Sequence, residues 1–208
     1  MDFHQITEWI IRAGVLLFAI TIHEYAHGRT AYALGDPTAK NAGRLSWNPI
    51  THLDPIGAIC LFLFRFGWAK PVPVDTRYFR NPRVGSFLVS IAGPLANLGV
   101  ALLAGLLVRS FLFPSKVYLN LLISMMLMNI GLGIFNLLPI PPLDGSHVLE
   151  TFLPFSALKK YREIGRHAPL VLIGIFLADR FLDTGIVFTL LYQPMRYLVW
   201  IFSGLWLR

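Results

Sequence analysis

Long apolar runs, separated by stretches rich in proline, glycine and basic residues, form the dominant pattern of the chain. The first run, at about 9–34, is long enough to cross a bilayer as one helix, which takes about 20 apolar residues. Similar runs follow at 84–112 and at 117–153, the latter with a proline-rich break, and shorter apolar segments occupy 168–207. The pattern predicts an all-α integral membrane protein: a polytopic helical bundle of about four to six spans, in a single domain over 1–208.

Two features depart from this simple succession of spans. Residues 38–83 are rich in proline, glycine and basic residues, and their apolar stretch, 56–66, is too short to cross a bilayer as a helix. We expect that stretch to be a re-entrant or interfacial piece, or a β-hairpin. Within the second span, 84–112, we expect Gly93-Pro94 to interrupt the helix.

Charge narrows the class of partner. Only 14% of the residues are charged, against about 25% in soluble domains. The net charge of +7 comes from loop residues, which favours contact with anionic lipid over a nucleic-acid partner. Basic residues concentrate in 38–83 and again after Asp144, so we expect a multi-pass protein of the cell membrane with both segments in the cytoplasm. The single cysteine, Cys60, permits no internal disulfide.

The first apolar run contains a chemically distinctive motif, His23-Glu24-Tyr25-Ala26-His27. Residues four apart lie about 40° apart around a helix, so His23 and His27 share a face and can grip one zinc ion. Glu24 lies beside them, where its carboxylate can act on a water at the open metal position. The alternative is a pair of structural histidines, but ionisable residues at membrane depth are costly and need a reason. We therefore predict a metal site on the cytoplasmic half of this helix.

A catalytic zinc site needs a third protein ligand, and Asp144 is the strongest candidate. It follows the proline-rich break at 139–142, and broken helix backbone in a membrane normally lines a cavity or a site. An aspartate before a glycine is equally good chemistry for a helix N-cap. The spacing by itself leaves these two alternatives open.

The chain also resembles a known family, the site-2 proteases, which are intramembrane zinc metalloproteases. The matching segments are spread over most of the chain, and together they form a specific set. They are His23 to Gly28, Gly35-Asp36-Pro37-Thr38-Ala39, Gly43-Arg44-Leu45, Asn48-Pro49, Gly67 to Val74, Ala92 to Asn97, and Phe135 to Gly145. The chain resembles the compact bacterial or archaeal branch, without the PDZ or CBS domains of other branches.

The resemblance implies a role for each matching residue. It implies one Zn²⁺ per chain, held by His23, His27 and Asp144, with Glu24 as the general base. It also implies that Asn136 binds substrate or steadies the transition state, and that Asn97 contacts extended substrate. For Asn136 the alternative is an amide that caps a broken helix, and for Asn97 it is polar contact between helices.

The function implied is hydrolysis of peptide bonds in or near the transmembrane helix of a single-span membrane protein, in regulated intramembrane proteolysis. A substrate helix must unwind locally to expose its carbonyls, and an exposed strand edge within 38–83 would hold it by strand addition. Two rival functions remain: a metal-binding membrane transporter and a catalytically inactive membrane scaffold. A transporter would not need Glu24, a carboxylate that is not a ligand, beside two metal ligands. An inactive scaffold would not need both histidines, Asp144 and Glu24 together.

Overall fold

A computed structural model describes residues 3–64, 67–110 and 115–206. That part of the chain is helical and contains no β-strand. Its helices are α1 (Phe3–Ala33), α2 (Thr38–Asn41), α3 (Pro55–Phe64), α4 (Pro82–Arg109), α5 (Lys116–Asn136), α6 (Asp144–Phe152), α7 (Phe155–Gly165), α8 (Ala168–Leu182) and α9 (Ile186–Ser203). Two short 3-10 turns, Pro49–His52 and Thr76–Tyr78, complete the segment between α2 and α4.

Three of the described helices, α1, α4 and α5, are long and apolar enough to cross a membrane. This confirms the prediction of an all-α polytopic membrane protein. Helix α9, with 18 residues, packs against α4 and α5 as the fourth member of the bundle. Helix α8 has 15 residues and a length of about 22 Å, which is short of the roughly 30 Å of a bilayer's hydrocarbon.

Helix α4 lies at the centre of the bundle, in contact with α1, α5, α6 and α9. The buried core between α4, α5 and α9 consists of Ala101, Ala104, Met126, Ile130 and Val199. Small residues on α4 allow close approach: a Cβ at Gly105 would lie 2.6 Å from the Cβ of Phe202 on α9. Such packing is typical of helices in lipid, where close van der Waals contact replaces the hydrophobic drive between helices.

The expected interruption of this span at Gly93-Pro94 is wrong, because α4 continues through both residues. Pro94 removes one backbone donor from the helix. Membrane helices tolerate this loss where neighbouring helices pack against the proline, and Pro94 is fully buried. Asn81 caps the start of α4, and its side chain accepts from the N–H groups of Arg83 and Val84.

Of the alternatives expected for 56–66, a re-entrant or interfacial piece or a β-hairpin, the hairpin is excluded for the residues that the structure describes. Most of the apolar stretch is helix α3, which starts with Pro55 and with Asp54 accepting from the N–H of Gly57 at 2.8 Å. Proline in the first turn after an aspartate cap is a helix-start signal, and it favours a helix here. The β pairing found in this part of the chain is one isolated antiparallel bridge, between Leu53 and Ala69. Residues 65–66 lie outside the described residues.

After α3 the chain returns along the C-terminal half of α1 as an extended segment, residues 69–75, which we call the strap. Asp36 anchors one end: it is fully buried and accepts hydrogen bonds from the N–H and hydroxyl of Thr38 and from the N–H of Asp75, the last at 2.7 Å. Gly28 leaves room for the strap, because a Cβ there would lie 3.3 Å from Cγ1 of Val72. The strap therefore lies against the helix that carries the His-Glu-His motif.

Candidate metal centre

Three side chains converge in the interior of the bundle. Nε2 of His23 lies 3.0 Å from Nε2 of His27, and Oδ2 of Asp144 lies 3.1 Å and 3.2 Å from these two nitrogens. One turn of α1 supplies both histidines, and the first residue of α6 supplies the aspartate. The structure thus brings Asp144 together with two histidines that lie far from it in the chain.

Asp144 reaches the histidines because α6 begins directly against the end of α5. A Cβ at Gly145 would lie 2.2 Å from the carbonyl oxygen of Leu137, so only glycine allows this approach. The N-cap position belongs to Leu143, and no side chain caps this helix. The alternative role considered for Asp144, an N-cap, is therefore absent, and its carboxylate points to the imidazoles.

One face of α4 orients both histidines through residues spaced four apart. Nδ1 of His27 lies 2.7 Å from the carbonyl oxygen of Val89, and Nδ1 of His23 lies 2.6 Å from Oδ1 of Asn97. Gly93 lies between these contacts, and a Cβ there would stand 2.3 Å from Nε2 of His27. Because α1 and α4 are antiparallel, each histidine meets a different level of the same α4 face.

The donor set fits a metal cation. A carbonyl oxygen can only accept, so His27 carries a proton on Nδ1, and in the neutral ring the lone pair is then on Nε2. With Oδ1 of Asn97 opposite its Nδ1, His23 has the same tautomer. The third atom, Oδ2 of Asp144, is buried without a hydrogen-bond donor. Three such atoms at 3.0–3.2 Å repel one another unless a proton or a metal ion lies among them, and these separations are close to the distance of about 3.3 Å between ligands of a tetrahedral zinc.

Glu24 is nearly buried, with 9% of its surface exposed, and it lies outside the three-ligand cluster. Its Oε2 accepts a hydrogen bond of 3.0 Å from the backbone N–H of Val72 in the strap. Pro71 and Pro73 have no N–H, so Val72 supplies the single backbone donor of these three residues. No local pattern in the sequence marks Val72, because its contact with Glu24 is made by a backbone N–H across 48 positions.

The two asparagines singled out in the sequence lie in different surroundings. Asn97 is fully buried, and its side chain contacts His23, the carbonyl of Ala19 and Asn129. Asn136 is the last residue of α5, half-buried, and its amide donates to the carbonyl oxygen of Leu132 at 3.0 Å. None of the hydrogen bonds found among the described residues links Asn136 to the three ligands.

Two further polar residues, Asn129 of α5 and His147 of α6, lie near the site in the chain or in space. His147, close to Asp144 in sequence, is exposed, with its Nδ1 3.9 Å from a carboxylate oxygen of Glu150, and it does not join the cluster. Asn129 was not identified from the sequence, although it is fully buried and contacts Asn97. A lone asparagine in an apolar helix is the signal that marks it, since buried amides in lipid need partners.

Known proteins resemble this chain over most of its length. The family model of Peptidase family M50 matches residues 112–177, which include Asn136 and Asp144. The protein named "Putative zinc metalloprotease YwhC" of Bacillus subtilis is 40% identical over 169 residues, covering 77% of this chain and 77% of that protein. The chain belongs to peptidase family M50.

Two proteins named "Putative zinc metalloprotease Rip2" are also similar. That of Mycolicibacterium smegmatis is 31% identical over 69% of this chain and 57% of its own length. That of Mycobacterium tuberculosis is 30% identical over 78% of this chain and 64% of its own length.

No solved structure matches this chain. Membership of M50 makes the chain a zinc metalloprotease, with Zn²⁺ as its cofactor. Its long apolar helices make it a multi-pass membrane protein.

Proposed function

We propose that this M50 peptidase cleaves peptide bonds in or near the transmembrane helix of single-span membrane proteins. In this proposal His23, His27 and Asp144 hold one Zn²⁺ and Glu24 is the general base. The observation that carries it is the convergence of three lone pairs inside an apolar bundle, beside a carboxylate that is not one of the three. Bound zinc supplies Lewis acidity, which polarises a peptide carbonyl and makes a water easier to deprotonate.

Glu24 performs the proton transfers in this mechanism. The N–H of Val72 holds Oε2 of Glu24, which leaves the other oxygen, Oε1, to accept the proton of the attacking water. The same carboxyl group then donates a proton to the leaving amine. The strap thereby fixes the direction of the base, and it does so with a backbone group that side-chain substitution leaves in place.

Asn136 and Asn97 have separate roles in the proposal. An asparagine amide carries two N–H donors, and Asn136 uses one of them on Leu132. The second can donate to the oxyanion of the scissile carbonyl, as in other acyl-transfer sites. Asn97 is buried among protein atoms, so we assign it to the metal centre in place of direct contact with substrate.

We keep the proposal that an unwound substrate is held by strand addition. The strap restricts which backbone groups can pair with such a substrate. Residues 71–73 offer a substrate no free backbone donor, because Pro71 and Pro73 have none and the N–H of Val72 binds Glu24. A substrate strand beside these residues would have to donate its own N–H groups to strap carbonyls. A peptidic inhibitor found bound away from the strap would contradict this step.

We further propose that the site faces the cytoplasm of the cell. Both basic segments gather at the end of the bundle that carries Asp144: Arg83 donates to the carbonyl of Leu153, and Tyr161 of α7 donates to the carbonyl of Pro139 at 2.9 Å. Positive loops are retained in the cytoplasm. Cleavage there would release a substrate's cytoplasmic fragment inward, as suits regulated intramembrane proteolysis.

The orientation is tested by cysteine labelling. In a variant with Cys60 replaced by serine, new cysteines next to Arg44 and next to Lys159 should resist an impermeant reagent added outside intact cells. They should react after the membrane is opened. Labelling of both positions from outside intact cells would contradict the orientation and the release of a cytoplasmic fragment.

The catalytic assignment is tested with Glu24→Gln. Purified variant and wild-type protein are compared in liposomes that contain a single-span substrate, and bound zinc is measured by metal analysis. We expect full zinc content and cleavage reduced by roughly 10²- to 10⁴-fold, since the amide cannot accept the proton of the water. The matched control is His147→Ala, which removes an exposed histidine near Asp144 and should change neither quantity. Near wild-type cleavage by zinc-loaded Glu24→Gln protein would exclude Glu24 as the base.

A further inference from the structure

A chain of buried hydrogen bonds crosses three helices and ends on His23. Asn129 of α5 donates to the carbonyl of Met125 at 2.8 Å, and its Oδ1 accepts from Nδ2 of Asn97 on α4 at 2.8 Å. Nδ2 of Asn97 also donates to the carbonyl of Ala19 on α1 at 3.0 Å. Oδ1 of Asn97 then lies 2.6 Å from Nδ1 of His23. Both asparagines have no exposed surface, so no solvent competes for these bonds.

The direction of every bond in this chain is determined by its two ends. The carbonyl of Met125 can only accept, so the nitrogen of the Asn129 amide faces it and the oxygen faces Asn97. Asn97 therefore meets two acceptors, Oδ1 of Asn129 and the carbonyl of Ala19, and must turn its nitrogen to both. Its oxygen is left for His23, whose Nδ1 must carry the proton.

We propose that Asn129 is a positioning residue that acts through Asn97 to fix the tautomer and ring orientation of His23. With its proton held on Nδ1, His23 presents the lone pair of Nε2 to the metal. The inference rests on the ligand set proposed above. A metal-binding histidine generally needs such a partner on its second nitrogen, and loss of the partner lowers metal affinity about 10- to 100-fold.

Removal of Asn129 takes away one of the two acceptors that hold the nitrogen of Asn97, so that turning the amide over costs one hydrogen bond instead of two. Without Oδ1 of Asn129, the nitrogen of Asn97 retains one acceptor, the carbonyl of Ala19. A turned amide would present N–H to Nδ1 of His23, which would then accept and carry its proton on Nε2, directed at the metal position. His27 is protected from this change, because its Nδ1 partner is the backbone carbonyl of Val89.

The test measures zinc affinity and histidine tautomer, with no use of proteolysis. Zinc dissociation constants of purified full-length protein are obtained by competition with a chelator of known affinity. The tautomer of His23 is read from ¹⁵N chemical shifts of histidine-labelled, metal-free protein, with the His23→Ala variant used to assign the signal. Thermal unfolding of each metal-free variant reports its stability.

Three substitutions on one helix separate positioning from simple packing. Asn129→Leu should weaken zinc binding at least about tenfold and shift His23 toward the Nε2–H tautomer. Asn129→Asp, whose protonated carboxyl can still donate to Met125 and accept from Asn97, should retain affinity and tautomer much closer to wild type. Asn120→Leu, the same change at an exposed position of α5, should leave both unchanged.

The outcomes distinguish this inference from the proposed function. Unchanged affinity and tautomer in Asn129→Leu would overturn the positioning role, as would affinities that follow the stability of the variants, with Leu and Asp failing alike. An Nε2–H tautomer of His23 in metal-free wild-type protein would overturn it without any variant at position 129. If His23→Ala instead binds zinc as tightly as wild type, the proposed ligand set itself is wrong.

Discussion

Gly93→Ala is the substitution whose effect on the metal centre the structure defines most sharply. The added Cβ would lie 2.3 Å from Nε2 of His27 and 2.7 Å from Cε1 of His23. Carbon and nitrogen atoms rarely approach closer than 3.0 Å in proteins, so the ring of His27 must retreat by at least about 0.7 Å. The backbone of α4 cannot yield instead, because Gly93 and Pro94 are buried at the centre of the bundle.

A displacement of this size is large for a metal site. Metal–ligand distances are held to within about 0.2 Å, so His27 cannot retreat that far and remain a ligand. The loss should exceed the 10- to 100-fold that follows from removal of a hydrogen-bond partner, since a ligand itself is displaced. We therefore expect zinc affinity to fall by at least about a hundredfold, with proteolysis lost at limiting zinc. Overpacking would also lower the free energy of unfolding by about 1–3 kcal/mol.

The assay compares Gly93→Ala with Gly99→Ala on the same helix. A Cβ at Gly99 meets no atom within 4 Å, so both variants gain the same helix propensity, about 1 kcal/mol, and differ in the contact with the histidines. Zinc dissociation constants by chelator competition and cleavage of a liposome-embedded substrate are measured for both. Gly99→Ala should match wild type in both quantities. Wild-type zinc affinity in Gly93→Ala would refute the proposed ligand set or the place of Gly93 beside it.

Three further predictions follow from neighbouring features. Gly145→Ala places a Cβ 2.2 Å from the carbonyl oxygen of Leu137, so it should displace the start of α6 and weaken zinc binding. The control is Gly174→Ala, whose Cβ meets nothing within 4 Å. Equal zinc affinities of the two variants would show that Gly145 does not position Asp144. Asp36→Ala removes the acceptor of three hydrogen bonds and should release the strap, seen as faster limited proteolysis within 69–75 and a loss of roughly 2–4 kcal/mol in unfolding free energy; an unchanged digestion pattern would disprove the anchor. Removal of zinc with a chelator should abolish cleavage, and stoichiometric zinc should restore it; cleavage that persists in metal-free protein would contradict a metalloprotease mechanism.

The strap lies outside the transmembrane helices and contacts the proposed catalytic base, Glu24. The N–H of Val72 in the strap binds Glu24, and the far end of the strap is tied to Asp36, nine residues after His27. Both anchors are carboxylates, Glu24 within α1 and Asp36 just after its end, and both accept from backbone N–H groups. A change that loosens the strap should therefore lower the rate of cleavage, while zinc content stays the same.

Local geometry explains how much of this protein could be predicted from the sequence. The length of the apolar runs requires helices, because lipid supplies no partner for backbone N–H and C=O groups. The spacing of His23 and His27 places them on one helical face whatever the rest of the chain does. The resemblance to the site-2 proteases then pointed to Asp144, which the spacing by itself left undecided between ligand and cap.

Tertiary structure decided what depends on contacts between helices. That Gly93 faces the histidines, that Asn97 turns its oxygen to His23, and that Val72 holds Glu24 all follow from how α4 and the strap pack against α1. The same packing buries Pro94 and keeps α4 continuous, where the local rule for proline predicted a break. The spacing of residues in the sequence determines which of them share one face of a helix. Which neighbouring helix packs against that face depends on contacts between residues that are distant in the chain. The sequence by itself therefore determined the membrane helices and the paired histidines, and the fold determined their partners.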